Sequence, residues 1–312
     1  MTPAERVLWE RAQRRAIGMQ PALSAAIFRA FALVRATLTV AALERYVDTG
    51  DADALVRDLF TTELLDRATQ PFRTRLRQQI ERQVTYFAAD VPKGGRVGGQ
   101  LVVAFDYLNP RVIDAVRQLE TRVITTLSGD VRETVRAFVE NGLRDGKGTA
   151  AIARQIKGVL GLAPSQAEAV RNFERALRGE GKNPLGYKLR DKRYDGTIKK
   201  GALTEQQITT QVAAYQRKME AFHANTVART AALDATKLGQ RLAWEDAAER
   251  GLVDRRRLQK TWVGVKDDRE RVEHLAMEGE TAPFDEPFSN GQMIPGDDEY
   301  NCRCVARYSQ AR

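Results

Sequence analysis

Apolar residues return every third or fourth position along most of the chain up to Lys260, the period of helices that bury one stripe and wet the other. The first helix is predicted to start at Thr2-Pro3, with Thr2 as N-cap, Pro3 at the first helical position and Glu5 completing a capping box. The spacing runs from Leu8 through Ile17, and again through Ile27, Phe31, Val34, Leu38 and Leu43. The D-T-G-D of 48–51 reads as a turn, with Gly50 free to take a positive φ and Asp able to bond its own backbone. A third amphipathic stretch runs from about Asp53 to Ala88, interrupted near Pro71, and its Arg73, Arg75, Arg77 and Arg82 read as a solvated face.

P-K-G-G-R-V-G-G from Pro92 is a loose, glycine-rich break. It fits neither the dinucleotide fingerprint nor the Walker spacing. Asn109-Pro110 then caps the most regular helix, through Val112, Val116, Leu119, Val123, Leu127, Val131, Val135 and Phe138. A rod of about thirty residues spans roughly 45 Å, unless Ser128-Gly129 bends it. A helical hairpin follows, 149–160 and then a helix from Ser165, for which Ser165 and Glu168 suggest a capping box. Residues 179–203 are polar, basic and Gly-containing, a surface excursion. Thr204 and Gln207 cap another helix, which continues or breaks near Asn225. Beyond Lys260 the helical period ends, and short strand-like pieces at 261–265 and 302–308 flank a helix around 269–277.

The expected fold is therefore mostly α: a long helical N-terminal and central region, then a small α+β C-terminal domain. The expected divisions are an N-terminal helical region at 1–90, a hinge at 91–108, a central helical region with a basic loop at 109–200, and the α+β domain at 201–312.

Composition sharpens this picture in three places. The aromatic share is 7%, and strong helix formers dominate. The opening M-T-P-A-E-R-V-L-W-E carries two acids and lacks the apolar core of a secretory signal, and the apolar stretch 22–43 is broken by Arg29 and Arg35. The chain is thus expected to be made soluble, in a cytoplasm, with no membrane partner. The two cysteines, Cys302 and Cys304, stand one residue apart, where a disulfide would close a strained ring. The net charge of +9 is uneven: residues 151–200 hold twelve Lys and Arg against five Asp and Glu, whereas 261–312 hold six against eleven. The basic block, with Lys182, Tyr187, Lys188, Arg190, Lys192, Arg193, Tyr194, Lys199 and Lys200, is the candidate for touching DNA or an acidic partner surface. A solvated helix face rich in Arg has the same composition.

The last hundred or so residues carry an ordered series of short motifs. These are N-T-V-A-R-T from Asn225, which includes Arg229 and Thr230, T-W with Trp262, and D-D-R-E-R-V-E-H from Asp267, which includes Arg271 and His274. D-E-P-F at 285–288, P-G-D from Pro295 and N-C-R-C from Asn301 to Cys304, with Arg303, complete it. The series resembles the phage Mu F-like head morphogenesis family, and blocks similar to that family extend upstream at Lys188 (K-L-R-D-K-R-Y-D) and Gly161 (G-L-A-P-S-Q-A-E-A-V). Ala231 stands where the family often has an acid, and the stretch from Asp297 to Asn301 is shorter than in many members. The resemblance implies a minor head protein in the virion, inside the capsid near the portal vertex. It also implies contact with the portal protein and other head proteins, and a role in head assembly, DNA packaging or ejection.

The chemistry of the terminal motifs stays open at this point. His274, Cys302 and Cys304 suit zinc, with Asp267 or Asp297 as a fourth ligand. They equally suit a core in which both cysteines are small buried hydrophobes and no cofactor is held. Trp262 is expected in the core, Arg269 and Arg271 in an ion-pair network, and Asn301 in a turn. His223 and His274 are the two histidines of the chain, and no Ser-His-Asp, Walker or H-E-x-x-H pattern is present, so no enzyme is expected. A DNA-condensing protein is the first rival reading, and a metal-dependent hydrolase using His274 and the cysteines the second.

Overall fold

Thr2 and Glu5 cap each other reciprocally: Thr2 N donates to Glu5 Oε2 at 2.7 Å and Glu5 N to Thr2 Oγ1 at 3.3 Å. From there α1 runs over Pro3–Thr37 in the computed structural model, which describes residues 1–92, 109–201, 203–297 and 299–311. The glycine-rich hinge expected at 91–108 lies, from 93 onward, outside the described residues. The further helices are α2 (Val40–Thr49), α3 (Ala52–Leu59), α4 (Thr62–Phe87), α5 (Pro110–Arg144), α6 (Thr149–Val159) and α7 (Pro164–Leu177). After these come α8 (Asp195–Lys199), α9 (Glu205–Glu249) and α10 (Val272–Ala276). Strands β1 (Leu258–Val263), β2 (Thr281–Pro283) and β3 (Val305–Gln310) form one antiparallel sheet in the order β2-β1-β3, with Trp262 opposite Ala306. The chain is mostly α with a small C-terminal α+β part.

Several local expectations change. The apolar spacing through Ile17 and then Ile27 belongs to one helix, not two, and Ile17 itself is exposed. Pro71 does not interrupt its helix; the break falls at Phe60-Thr61, where Thr61 Oγ1 accepts from Leu64 N at 3.2 Å. Pro21 and Pro71 are both exposed, so the carbonyl each leaves without its helical donor is on the wet side of the helix. The hairpin's second helix starts at Pro164, and its cap is Gln166, whose Oε1 accepts from Ala163 N at 3.1 Å; Glu168 pairs with Arg171 instead. The pair Thr204 and Gln207 caps α9 reciprocally, at 2.9 and 3.3 Å. The last strand begins at Val305, three residues later than expected.

α9 does not break at Asn225. Residues 231–240 are all buried, so this stretch of the helix is covered on every side and shows no single apolar stripe. By length and composition alone α1 is also apolar enough to cross a membrane, yet its Leu23, Ile27, Phe31 and Val34 are buried in the protein.

The chain forms two compact units, each drawn from separated segments. One comprises Met1–Leu23, Phe72–Val123 and Thr226–Arg312; the other comprises Ser24–Pro71 and Ile124–Asn225. In the first, Gly239 of α9 lies against α4, where an added Cβ would stand 2.3 Å from Gln83 Cβ. Arg77 holds Glu120 through two contacts of 2.5 and 2.8 Å, and Trp9 Nε1 donates to Arg303 O at 2.9 Å. In the second, Val159, Leu162, Phe173, Ile208 and Tyr215 form the core, and Thr134 Oγ1 donates to Leu162 O at 2.9 Å.

Candidate functional site

β1 is the central strand of the sheet, and its Trp262 is fully buried in a cluster with Met277, Ala282, Phe288, Cys302 and Cys304. The short helix α10 carries His274 onto this cluster, its ring edge-on to Trp262 with centroids 5.3 Å apart. The segment leading into β3 brings both cysteines to the same place, since residues two apart in extended chain share a face. The ligand atoms of His274, Cys302 and Cys304 all lie within 4.8 Å of one another, and all three residues are buried. His274 Nδ1 stands 3.5 Å from Cys302 Sγ and 3.7 Å from Cys304 Sγ.

The opposite side of the imidazole is also occupied. Nε2 lies 2.9 Å from Glu299 Oε1, and Glu299 is held in turn by Arg271 at 2.6 Å and by Gln292 Nε2 at 3.2 Å. Burial works to raise the Glu299 pKa, but the hydrogen bond and charge of His274, with Arg271, outweigh it and hold the carboxyl below its ordinary value. Cys302 is held well below the ordinary thiol range, first by the S–H hydrogen bond from Cys304 and then by Lys237 and His274. Cys304, donating that proton into the cluster, is pushed up correspondingly.

Asp267 is not brought to the cluster. Its carboxylate takes both amino groups of Arg303, at 2.5 and 2.6 Å, which draws its pKa down to about 2. Asp297, the other acid considered as a ligand, pairs with Arg122 at 2.5 Å. A carboxylate that does reach a sulfur is Glu270, whose Oε1 is 3.5 Å from Cys304 Sγ and which also accepts the backbone N–H groups of Val265 and Lys266.

The other motif residues tie loops to elements. Asn301 takes a left-handed φ of 56°, which Asn tolerates, and its backbone N–H donates to Thr230 Oγ1 at 3.1 Å. Arg271 also donates to Tyr300 O at 2.9 Å, while Arg229 is exposed on α9. Gly296 of the P-G-D turn has φ 71°, and an added Cβ would stand 2.0 Å from Cys302 Sγ. The turn thus closes directly over the cysteine, a role for Gly296 that spacing alone did not show. Lys237 sits alongside, buried, donating to Pro295 O at 3.0 Å. It lines a cavity of about 390 Å³ whose other charged groups are Arg122, Asp234, Arg241 and Asp297. Burial raises the Asp234 pKa to about 6, outweighing Lys237 and Arg122 beside it.

The basic block lies elsewhere, in the second unit, and its arginines are already engaged. Arg190 grips Asp195 at 2.7 and 2.8 Å, and Arg193 reaches Asp191 at 2.6 Å. Tyr187 packs on Phe173 and Tyr215, with centroids 5.1 and 5.9 Å away, so its ring is part of the core edge, and Tyr194 is half-buried. Lys182, Lys188, Lys192, Lys199 and Lys200 remain exposed. His223, in the same unit, bonds Gly161 O through Nδ1 at 2.7 Å, faces Asp130 at 3.3 Å and stacks on Phe31.

No match was found among curated proteins or among solved structures. A family match covers residues 188–307, described as Phage Mu protein F like protein. That span contains Trp262, His274, both cysteines and the basic loop from Lys188 onward, while the block at Gly161 falls outside it. Residues 188–307 are thus similar to the phage Mu F-like family, and the match covers the whole of the candidate site.

Proposed function

We propose that the chain is a minor head protein of a tailed bacteriophage, placed inside the capsid near the portal vertex. It acts in head assembly and in DNA packaging or ejection by binding, without turnover. The observation that carries this reading is the family match over 188–307. The polar groups within that span support it. Arg303 with Asp267, Arg271 with Glu299, and Thr230 with Asn301 use their bonding capacity on one another and on backbone. The partners are the portal protein and other head proteins, with packaged DNA as a further contact and no membrane. The protein is made in the host cytoplasm and carried in the virion.

The exposed lysines at 182–200 are the surface for DNA or an acidic face of the portal. Co-purification with the portal protein of the same phage tests the reading, at low and high salt, with and without nuclease. A complex of defined stoichiometry that survives both treatments is expected. Retention on DNA that falls steeply with salt, without portal binding, would replace it with the DNA-condensing reading.

A further inference from the structure

We propose that His274 Nδ1, Cys302 Sγ and Cys304 Sγ hold a structural zinc ion, with Glu270, whose Oε1 is 3.5 Å from Cys304 Sγ, as the candidate fourth ligand. The distances carry the argument. A tetrahedral zinc, with bonds of about 2.3 Å to sulfur and about 2.0 Å to nitrogen, separates its nitrogen and sulfur ligands by roughly 3.6 Å. The two nitrogen–sulfur distances here are 3.5 and 3.7 Å, and the three atoms form one group within 4.8 Å.

With Nε2 2.9 Å from Glu299 Oε1, the tautomer protonated at Nε2 turns the Nδ1 lone pair toward the two sulfurs. A cation at the centre of the three atoms meets the nitrogen lone pair and both sulfurs at once. A carboxylate behind the distal ring nitrogen is also the arrangement that orients metal-bound histidines and raises their basicity. Charge closes on the same set. Two thiolates balance the two positive charges of zinc, while the buried Lys237 beside Cys302 is paired with Asp234 at 3.6 Å. Gly296, with no side chain, lets the P-G-D turn seal the site from above. The ion would pin α10 to the segment entering β3, across a sheet of only three strands.

The test uses the full chain, purified under reducing conditions from zinc-supplemented cells, with metal counted by elemental analysis. About one zinc per chain is expected. Cobalt loaded in its place should give the near-ultraviolet thiolate-to-cobalt charge-transfer band. Cys302→Ser with Cys304→Ser should lose both signals, and cobalt loading of the unaltered chain keeps the test independent of whether that variant folds. Unaltered, folded protein that takes up neither metal would overturn the proposal. Glu270→Gln should weaken zinc binding at least about tenfold. Unchanged affinity in that variant would remove Glu270 from the ligand set.

Discussion

Replacing Trp262 by alanine is expected to destabilise the protein by about 3–5 kcal/mol, read from the midpoint of urea unfolding at unchanged slope. The side chain is fully buried on the central strand, and it touches the two parts that the sheet alone does not hold. His274 of α10 lies edge-on at 5.3 Å and Phe288 at 5.2 Å, both T-shaped, while Met277 and the two cysteines complete the shell. Alanine would leave a large cavity among these side chains, the loss expected for truncating a fully buried aromatic residue. Trp262→Phe, which keeps most of the volume, should cost well under half as much. A loss below about 1 kcal/mol for the alanine variant would mean that the C-terminal sheet unfolds before the measured transition.

The second large effect comes from adding atoms. Gly239 sits in α9 where a Cβ would meet Gln83 Cβ at 2.3 Å, Ile80 O at 3.1 Å and Val84 N at 3.1 Å. Two of these obstacles are backbone of α4, so the helices must separate to admit any side chain. Gly239→Leu is expected to cost at least about 3 kcal/mol through overpacking, and Gly239→Ala about 1–3 kcal/mol. Gly129 of α5 is the control, because nothing lies within 4 Å of its would-be Cβ. There, Gly129→Ala should stabilise the helix by about 0.5–1 kcal/mol. Equal effects at the two positions in thermal unfolding would contradict the close approach of α4 and α9.

Helix starts were the most legible part of the sequence, because a reciprocal cap is local chemistry. Thr2 with Glu5 and Thr204 with Gln207 form as their spacing predicts. Helix continuity was less so. Whether a proline interrupts a helix depends on which face it occupies, and Pro71 occupies the exposed one. The middle of α9 is buried on all sides, so the stripe that marks a helix fades where the packing is densest. Nothing in a local pattern shows that Gly239 meets Gln83, and β2, with three residues ending in proline, carries no strand signal of its own.

The candidate site was legible in part for the same reason. His274, Cys302 and Cys304 stand out by residue type, being rare in this chain. Acids are common in its last fifty residues, so sequence could not separate Glu270 and Glu299, beside the cluster, from Asp267, which Arg303 neutralises. In the basic block, counting charges missed that Asp191 and Asp195 already hold Arg193 and Arg190.

The central claim is that this chain is part of a phage head. Mass spectrometry of particles released from cells carrying the phage or prophage that encodes it, purified away from free protein and treated with nuclease, tests this most directly. Peptides from both units are expected in DNA-filled heads, at a small fraction of the major capsid protein. Their retention in empty heads that keep the portal is expected as well. Heads that contain the portal and yet lack this chain, while it is abundant in the cell, would contradict it.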